Sequence, residues 1–159
     1  MLDSGTTTQQ VAKNLIERKN LTVITNGINI INTIAGIEEI TLYTVGGQIG
    51  TKSYAIVGSE AEKSLKKYFA KLCIISVEGI DLEKGLTSNN HTDANITMIL
   101  IERASTRMLV ADSSKIGQVA LIPVCSLEKI DILVTDEGTP KSFIDEAKKR
   151  GLEVFIASG

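Results

Sequence analysis

Residues Leu2-Asp3-Ser4-Gly5-Thr6-Thr7-Thr8-Gln9 form a hydroxyl-rich turn around a single glycine, and helical periodicity begins directly behind them. Backbone N–H groups, threonine hydroxyls and the positive end of a helix then share one target. A phosphate or another small anion is the natural occupant of such a place. Gly5 lets the backbone fold tightly around the anion, with Ser4, Thr6 and Thr7 beside it. A plain helix cap by Ser4 or Thr6 is the other reading. Asp3 repels an anion unless it points at a hydroxyl, as a sugar offers, or it anchors the loop.

Outward from this turn, the pattern alternates between helix and strand. Val11, Ala12, Leu15 and Ile16 mark one helix face over residues 7–18, followed by a strand at 21–25 that closes on Asn26-Gly27. A helix is expected at 28–35 and a strand at 40–45, running into Gly46-Gly47. Another helix is expected at 59–69, with Ser59 and Glu62 at capping-box spacing. Strands come next at 72–77 and 107–111 around a helix at 93–104, then short strands at 122–124 and 132–135. Pro140 opens a last helix to Arg150, and Gly151 stops it before a strand at 152–157.

Strands rich in Ile, Val and Leu without strict alternation suit a parallel sheet covered on both faces. The expected fold is therefore α/β, a three-layer Rossmann-like sandwich with a mainly parallel sheet. Ligands in such sheets bind beyond the carboxyl ends of the strands. Asp3 to Thr7, Thr25-Asn26, Gly46-Gly47, Glu78-Gly79 and Asp112 to Lys115 are those ends, and they should meet at one rim. Lys115 can meet a phosphate as a point charge or stand solvated on the rim. Asp112 holds its own loop or a sugar hydroxyl. Glu78, Asp81 and Lys84 can move protons in an aldose–ketose isomerisation, or form a solvated loop.

The chain has 159 residues, 43% hydrophobic and 23% charged, which suits one globular domain. A net charge of −2 does not by itself point to a polyanion-binding surface, and leaves room for a local basic patch. Cys73 and Cys125 sit in apolar runs and read as thiols of a cytoplasmic protein; no metal-ligand cluster and no membrane span is visible. His91 reads as a surface-loop residue. Only Met1 and Leu2 precede the anion loop, so the chain is expected to be a piece of a longer protein.

Six motifs succeed one another: L-D-S-G-T-T-T (2–8), L-T-V-I-T-N (21–26), V-G-G (45–47), G-L-T (85–87), V-A-D-S-S-K-I-G (110–117) and I-D-I-L-V-T-D (130–136). In order and spacing they resemble the C-terminal effector domain of the DeoR family of bacterial transcriptional repressors. The resemblance implies a fold like ribose-5-phosphate isomerase and the CoA transferases, and a sensor rather than an enzyme. It implies a phosphorylated sugar as effector, no cofactor, and a winged helix-turn-helix domain upstream as the only part that touches DNA. Repressor action on paired half-sites implies a homodimer or homotetramer. Asp3, Ser4, Gly5, Thr6 and Thr7 would form the phosphate side, with Thr25, Asn26, Gly46, Gly47 and Lys115 at the rim and Asp112 in support. The family commonly has Glu-Ala and, two residues on, Lys-Arg after G-L-T. Here Asp93-Ala94 is followed by Asn95-Ile96-Thr97-Met98, so no effector contact is carried over from that helix.

Overall fold

In the computed structural model, which describes residues 1–51 and 53–157, the first strand is a stub. Leu2 bridges in parallel to Thr25 on one side and to Ile74 on the other. Its amide donates to Ile24 O at 2.9 Å, while Asp3 N donates to Ile74 O at 2.9 Å and Ile74 N to Met1 O at 3.0 Å. Two parallel blocks meet across it. One pairs β1 (Leu21–Thr25) with β2 (Ile40–Thr44). The other runs in the order β11 (Glu153–Ala157), β10 (Ile132–Asp136), β8 (Ala104–Val110) and β5 (Ala70–Ile75).

The stub thus lies mid-sheet, where the winding reverses. From it the chain winds outward through α1 (Thr6–Leu15), β1, α2 (Ile28–Ile34) and β2, then returns to place β5 on the stub's other side. Such a switch point opens a crevice at the carboxyl ends of the strands. The loop at residues 3–5 and the end of β5 both stand there.

Sheet residues alternate between two apolar clusters. Leu2, Val23 and Ile40 pack with Ala12 of α1 and with Ile30 and Ile34 of α2. Ile24, Cys73, Ile75, Leu109 and Leu133 face α3 (Ser59–Leu65), α4 (His91–Glu102) and α5 (Lys141–Lys149). Helices therefore cover both faces, as the apolar strands require. Over the far wing the cover is thinner, for Met108, Ile132 and Val134 are only half-buried.

Besides the short strand expected at 122–124, there are four antiparallel pieces that the sequence pattern does not register. β3 (Gln48–Gly50) pairs with β4 (Ala55–Val57), and β6 (Gly79–Asp81) with β7 (Gly85–Ser88), which in turn pairs with β9 (Ile122–Cys125). The helix expected to reach Phe69 stops at Leu65, because Lys67 N and Tyr68 N bond back three residues and tighten the last turn. Its cap is Gly58 without a side-chain bond, so Ser59 and Glu62 form no capping box. No helix among the described residues is long and apolar enough to cross a membrane.

Leu2 is 2% exposed at the joint of the two blocks. Leu2→Ala is expected to lower unfolding free energy by about 2–5 kcal/mol in urea titrations. A loss below about 1 kcal/mol would mean the halves hold together without this side chain.

Candidate functional site

A cavity of about 310 Å³ opens at the switch point. Asp3, Ser4, Gly5, Thr6 and Thr7 form one wall, and Ser76 to Glu78 beyond β5 another. Lys115 and Asp112 enter from the far side, Asp93 and Thr97 from α4, and Ser88 from the end of β7. Asn29, Ser53 and Tyr54 complete the mouth.

Gly5 caps α1 at φ 148° and offers no side chain to the first turn. The leading N–H groups of that turn have no acceptor inside the helix and carry the positive end of its dipole. The positive φ calls for glycine, and a Cβ there would stand 2.4 Å from Ser76 Oγ and push that hydroxyl aside. Neither Ser4 nor Thr6 caps the helix. Thr8 is buried and its hydroxyl donates to Gly5 O at 3.1 Å, bracing the turn from behind.

Asp3 is 4% exposed at the base of the cavity. Its carboxylate accepts from Thr97 Oγ1 at 2.8 Å and from Ser4 N at 2.8 Å. Burial pushes its pKa up to about 7, against the pull of those two bonds, and Asp93 and Glu78 add repulsion. Asp3 thus both anchors the loop and faces the cavity. Ser88, 3% exposed, lines the same space, and its Oγ has no partner. A buried hydroxyl left unbonded is costly, so a ligand hydroxyl there would relieve it.

Lys115 is carried on a short 3₁₀ turn, Ser113–Lys115, capped by Asp112. Asp112 accepts from Ser114 Oγ and from Ser114 N, which holds its pKa below the usual carboxylate range. Asp136 fixes the same turn by accepting from Ser113 N at 2.7 Å and Gly138 N at 2.8 Å. Asp136 thereby braces the turn that carries Lys115. Lys115 pairs with no carboxylate among the described residues.

Four expected rim residues lie elsewhere. Thr25 is fully buried and its hydroxyl accepts from Gly27 N. Asn26 donates Nδ2 to Ile56 O, and its backbone carbonyl accepts from Ile56 N at 2.7 Å, while its buried Oδ1 has no partner among the described residues. Thr25 thus shapes the turn after β1, while Asn26 ties that turn to β4. Gly47 packs against β4, where a Cβ would meet Val57 O at 2.7 Å, and Gly46 has open space around it. Close approach is indeed what glycine permits here, but the neighbour is backbone rather than ligand.

The isomerase arrangement does not assemble. Glu78 lines the cavity, whereas Asp81 sits on the β6–β7 turn, accepting from Glu83 N and Lys84 N. Neither Asp81 nor Lys84 is among the lining residues. Asn29, Ser53, Tyr54, Ser76, Ser88 and Thr97 were absent from the expected site. Asn29, Ser88 and Thr97 stand on helices or a short strand whose direction no local motif reveals.

The DeoR C-terminal sensor domain family matches residues 1–137. The chain belongs to that family. The transcriptional repressor AccR of Agrobacterium fabrum is 33% identical over 159 residues, 99% of this chain and 61% of its own. The HTH-type transcriptional repressor GlcR of Bacillus subtilis is 31% identical over 156 residues, 98% of this chain and 60% of its own. The glycerol-3-phosphate regulon repressor of Escherichia coli is 28% identical over 141 residues, 89% of this chain and 56% of its own. The chain therefore spans between 56% and 61% of these relatives. The chain is thus a DeoR-type sensor domain, and these three relatives are named as repressors.

Because the native pKa of Asp3 lies above its unfolded value near 3.8, the folded state binds the extra proton between the two. Asp3 therefore contributes stability below pH 4 that is lost as pH rises through 7. Asp3→Asn, which cannot ionise, should gain on wild type by on the order of 1 kcal/mol per pH unit across that window. Thermal melts from pH 4 to pH 8 check this; parallel curves for the two proteins would contradict it.

Proposed function

We propose that this domain senses a phosphorylated sugar for a repressor of sugar metabolism. The phosphate sits on the first turn of α1, held by N–H groups and hydroxyls of Ser4 to Thr7 with Lys115 opposite. The sugar hydroxyls turn to Asp3 and Ser88. The observation that carries this is one cavity that gathers an uncapped helix start and a lysine with no carboxylate partner among the described residues. The same cavity holds a buried carboxylate and a buried, unbonded hydroxyl. An anion at one end and hydroxyls at the other is what a sugar phosphate offers. One relative's name, the glycerol-3-phosphate regulon repressor, supports the same chemistry.

Charge-assisted hydrogen bonds contribute about 1.5–3 kcal/mol each and a helix terminus about 0.3–1 kcal/mol. A handful of such contacts suffices for micromolar affinity, which is about −8 kcal/mol. A winged helix-turn-helix domain outside these residues touches DNA, and the protein acts in the cytoplasm as a homodimer or homotetramer. The effector biases two arrangements of that oligomer by unequal affinity. Moving a 1:99 population to 99:1 takes about 5.5 kcal/mol of differential binding.

Calorimetry against a panel of sugar phosphates is expected to find at least one saturable ligand. Lys115→Ala should weaken it by about tenfold or more, and added salt should narrow the gap between variant and wild type. Absence of saturable heat across the panel would reject the proposal.

A further inference from the structure

Tyr54 stands at the mouth of the cavity with 58% of its surface exposed. Its φ is 50°, in the left-handed region that a bulky side chain rarely adopts. Such a backbone persists only where its surroundings impose it. Here they do so from both sides. Tyr54 N donates to Gly50 O at 3.0 Å, and Tyr54 O accepts from Ile28 N at 2.9 Å. The next residue, Ala55, is fully buried and bridges to Gly27.

That attachment runs directly to the anion loop. A Cβ on Gly27 would stand 3.1 Å from Ser4 Cα, so the segment holding Tyr54 lies against the loop itself. The ring gains no core burial for the strain. Tyr43 and Tyr68 pack on each other, with centroids 5.8 Å apart, while Tyr54 remains at the opening. The rest of the lining is hydroxyl, carboxylate, amide and ammonium, apart from the buried Val77 and the backbone of Gly5. A single apolar plane in a polar cavity matches a molecule with a polar rim and one C–H face.

We propose that Tyr54 is the platform for the apolar face of a cyclic sugar, so that the site selects ring-form sugar phosphates over short acyclic phosphates. This rests on the phosphate-binding reading above and narrows its ligand class. The phosphate stays on the α1 turn, and the ring of the sugar lies over the phenol ring. An acyclic triose or glycerol phosphate reaches the anion loop but presents too little C–H surface to stack. Tyr54 is thus a specificity-determining residue and not part of the anion site.

The test compares wild type, Tyr54→Phe and Tyr54→Asn in calorimetric titrations. The probes are glucose 6-phosphate, galactose 6-phosphate and ribose 5-phosphate, with glycerol 3-phosphate and inorganic phosphate as the acyclic and bare-anion controls. Asparagine tolerates the left-handed backbone, so Tyr54→Asn should melt at or above the wild-type temperature. Wild type should bind its best ring-form ligand about tenfold tighter than glycerol 3-phosphate, and Tyr54→Asn should erase that margin. Inorganic phosphate should bind all three proteins equally, and Tyr54→Phe should retain the margin. An unchanged margin in Tyr54→Asn overturns the inference, as does equal wild-type affinity for glycerol 3-phosphate; in both cases the anion site stands. A lower melting temperature in Tyr54→Asn, or parallel losses for every probe including inorganic phosphate, shows a structural role and also overturns it. If wild type binds none of the probes, the sensing reading fails first and this one with it.

Discussion

The amide of Leu2 donates to Ile24 O and that of Asp3 to Ile74 O, so a stub of chain is hydrogen-bonded on both flanks. The rest of the architecture depends on this joint. It unites the β1–β2 block with the β5–β8–β10–β11 block, and it reverses the winding at the place where it stands. The chain leaving the stub emerges at the mouth of the crevice between β1 and β5, and it carries Asp3, Gly5 and the start of α1 there. Position in the topology, rather than the threonines alone, aims the first helical turn at a cavity.

The same constraint accounts for the cost carried by the site. Asp3 ends the stub and cannot avoid burial, so its carboxyl is held at a pKa of about 7 among other acids. Ser88 is buried nearby without a bond, and Tyr54 is kept at positive φ. Each departure is unfavourable, and all of them line one cavity. Proteins commonly concentrate such local conflicts where a ligand resolves them. A sensor gains from this arrangement, because groups that gain partners only on binding supply differential affinity between two states.

Much of the fold was legible because its signals are local. Apolar runs at 21–25, 132–135 and 152–157 read as strands, although the last is a largely exposed edge, and the glycine and hydroxyls around Gly5 read as a tight turn at a helix start. The Asp112-Ser113-Ser114-Lys115 turn was legible for the same reason. The features that stayed hidden depend on direction across the chain. Thr25, Asn26, Gly46 and Gly47 do stand at strand ends, but the side chain of Asn26 and the close approach of Gly47 are used on β4 rather than on the cavity. Thr97 reaches Asp3 across 94 positions of sequence, which no spacing rule anticipates. The three-residue strands β3, β4 and β6 carry too few residues for periodicity to register. They nonetheless position Tyr54 and Glu78.

The central claim is that the uncapped start of α1 is an anion site shared with Lys115. Amide chemical-shift mapping during titration with a sugar phosphate tests it most directly. Saturable shifts are predicted at Gly5, Thr6 and Thr7, with a second group around Ser114 and Lys115. Shifts that spare those amides and gather instead along the apolar groove between Leu15 and Leu72 would contradict it.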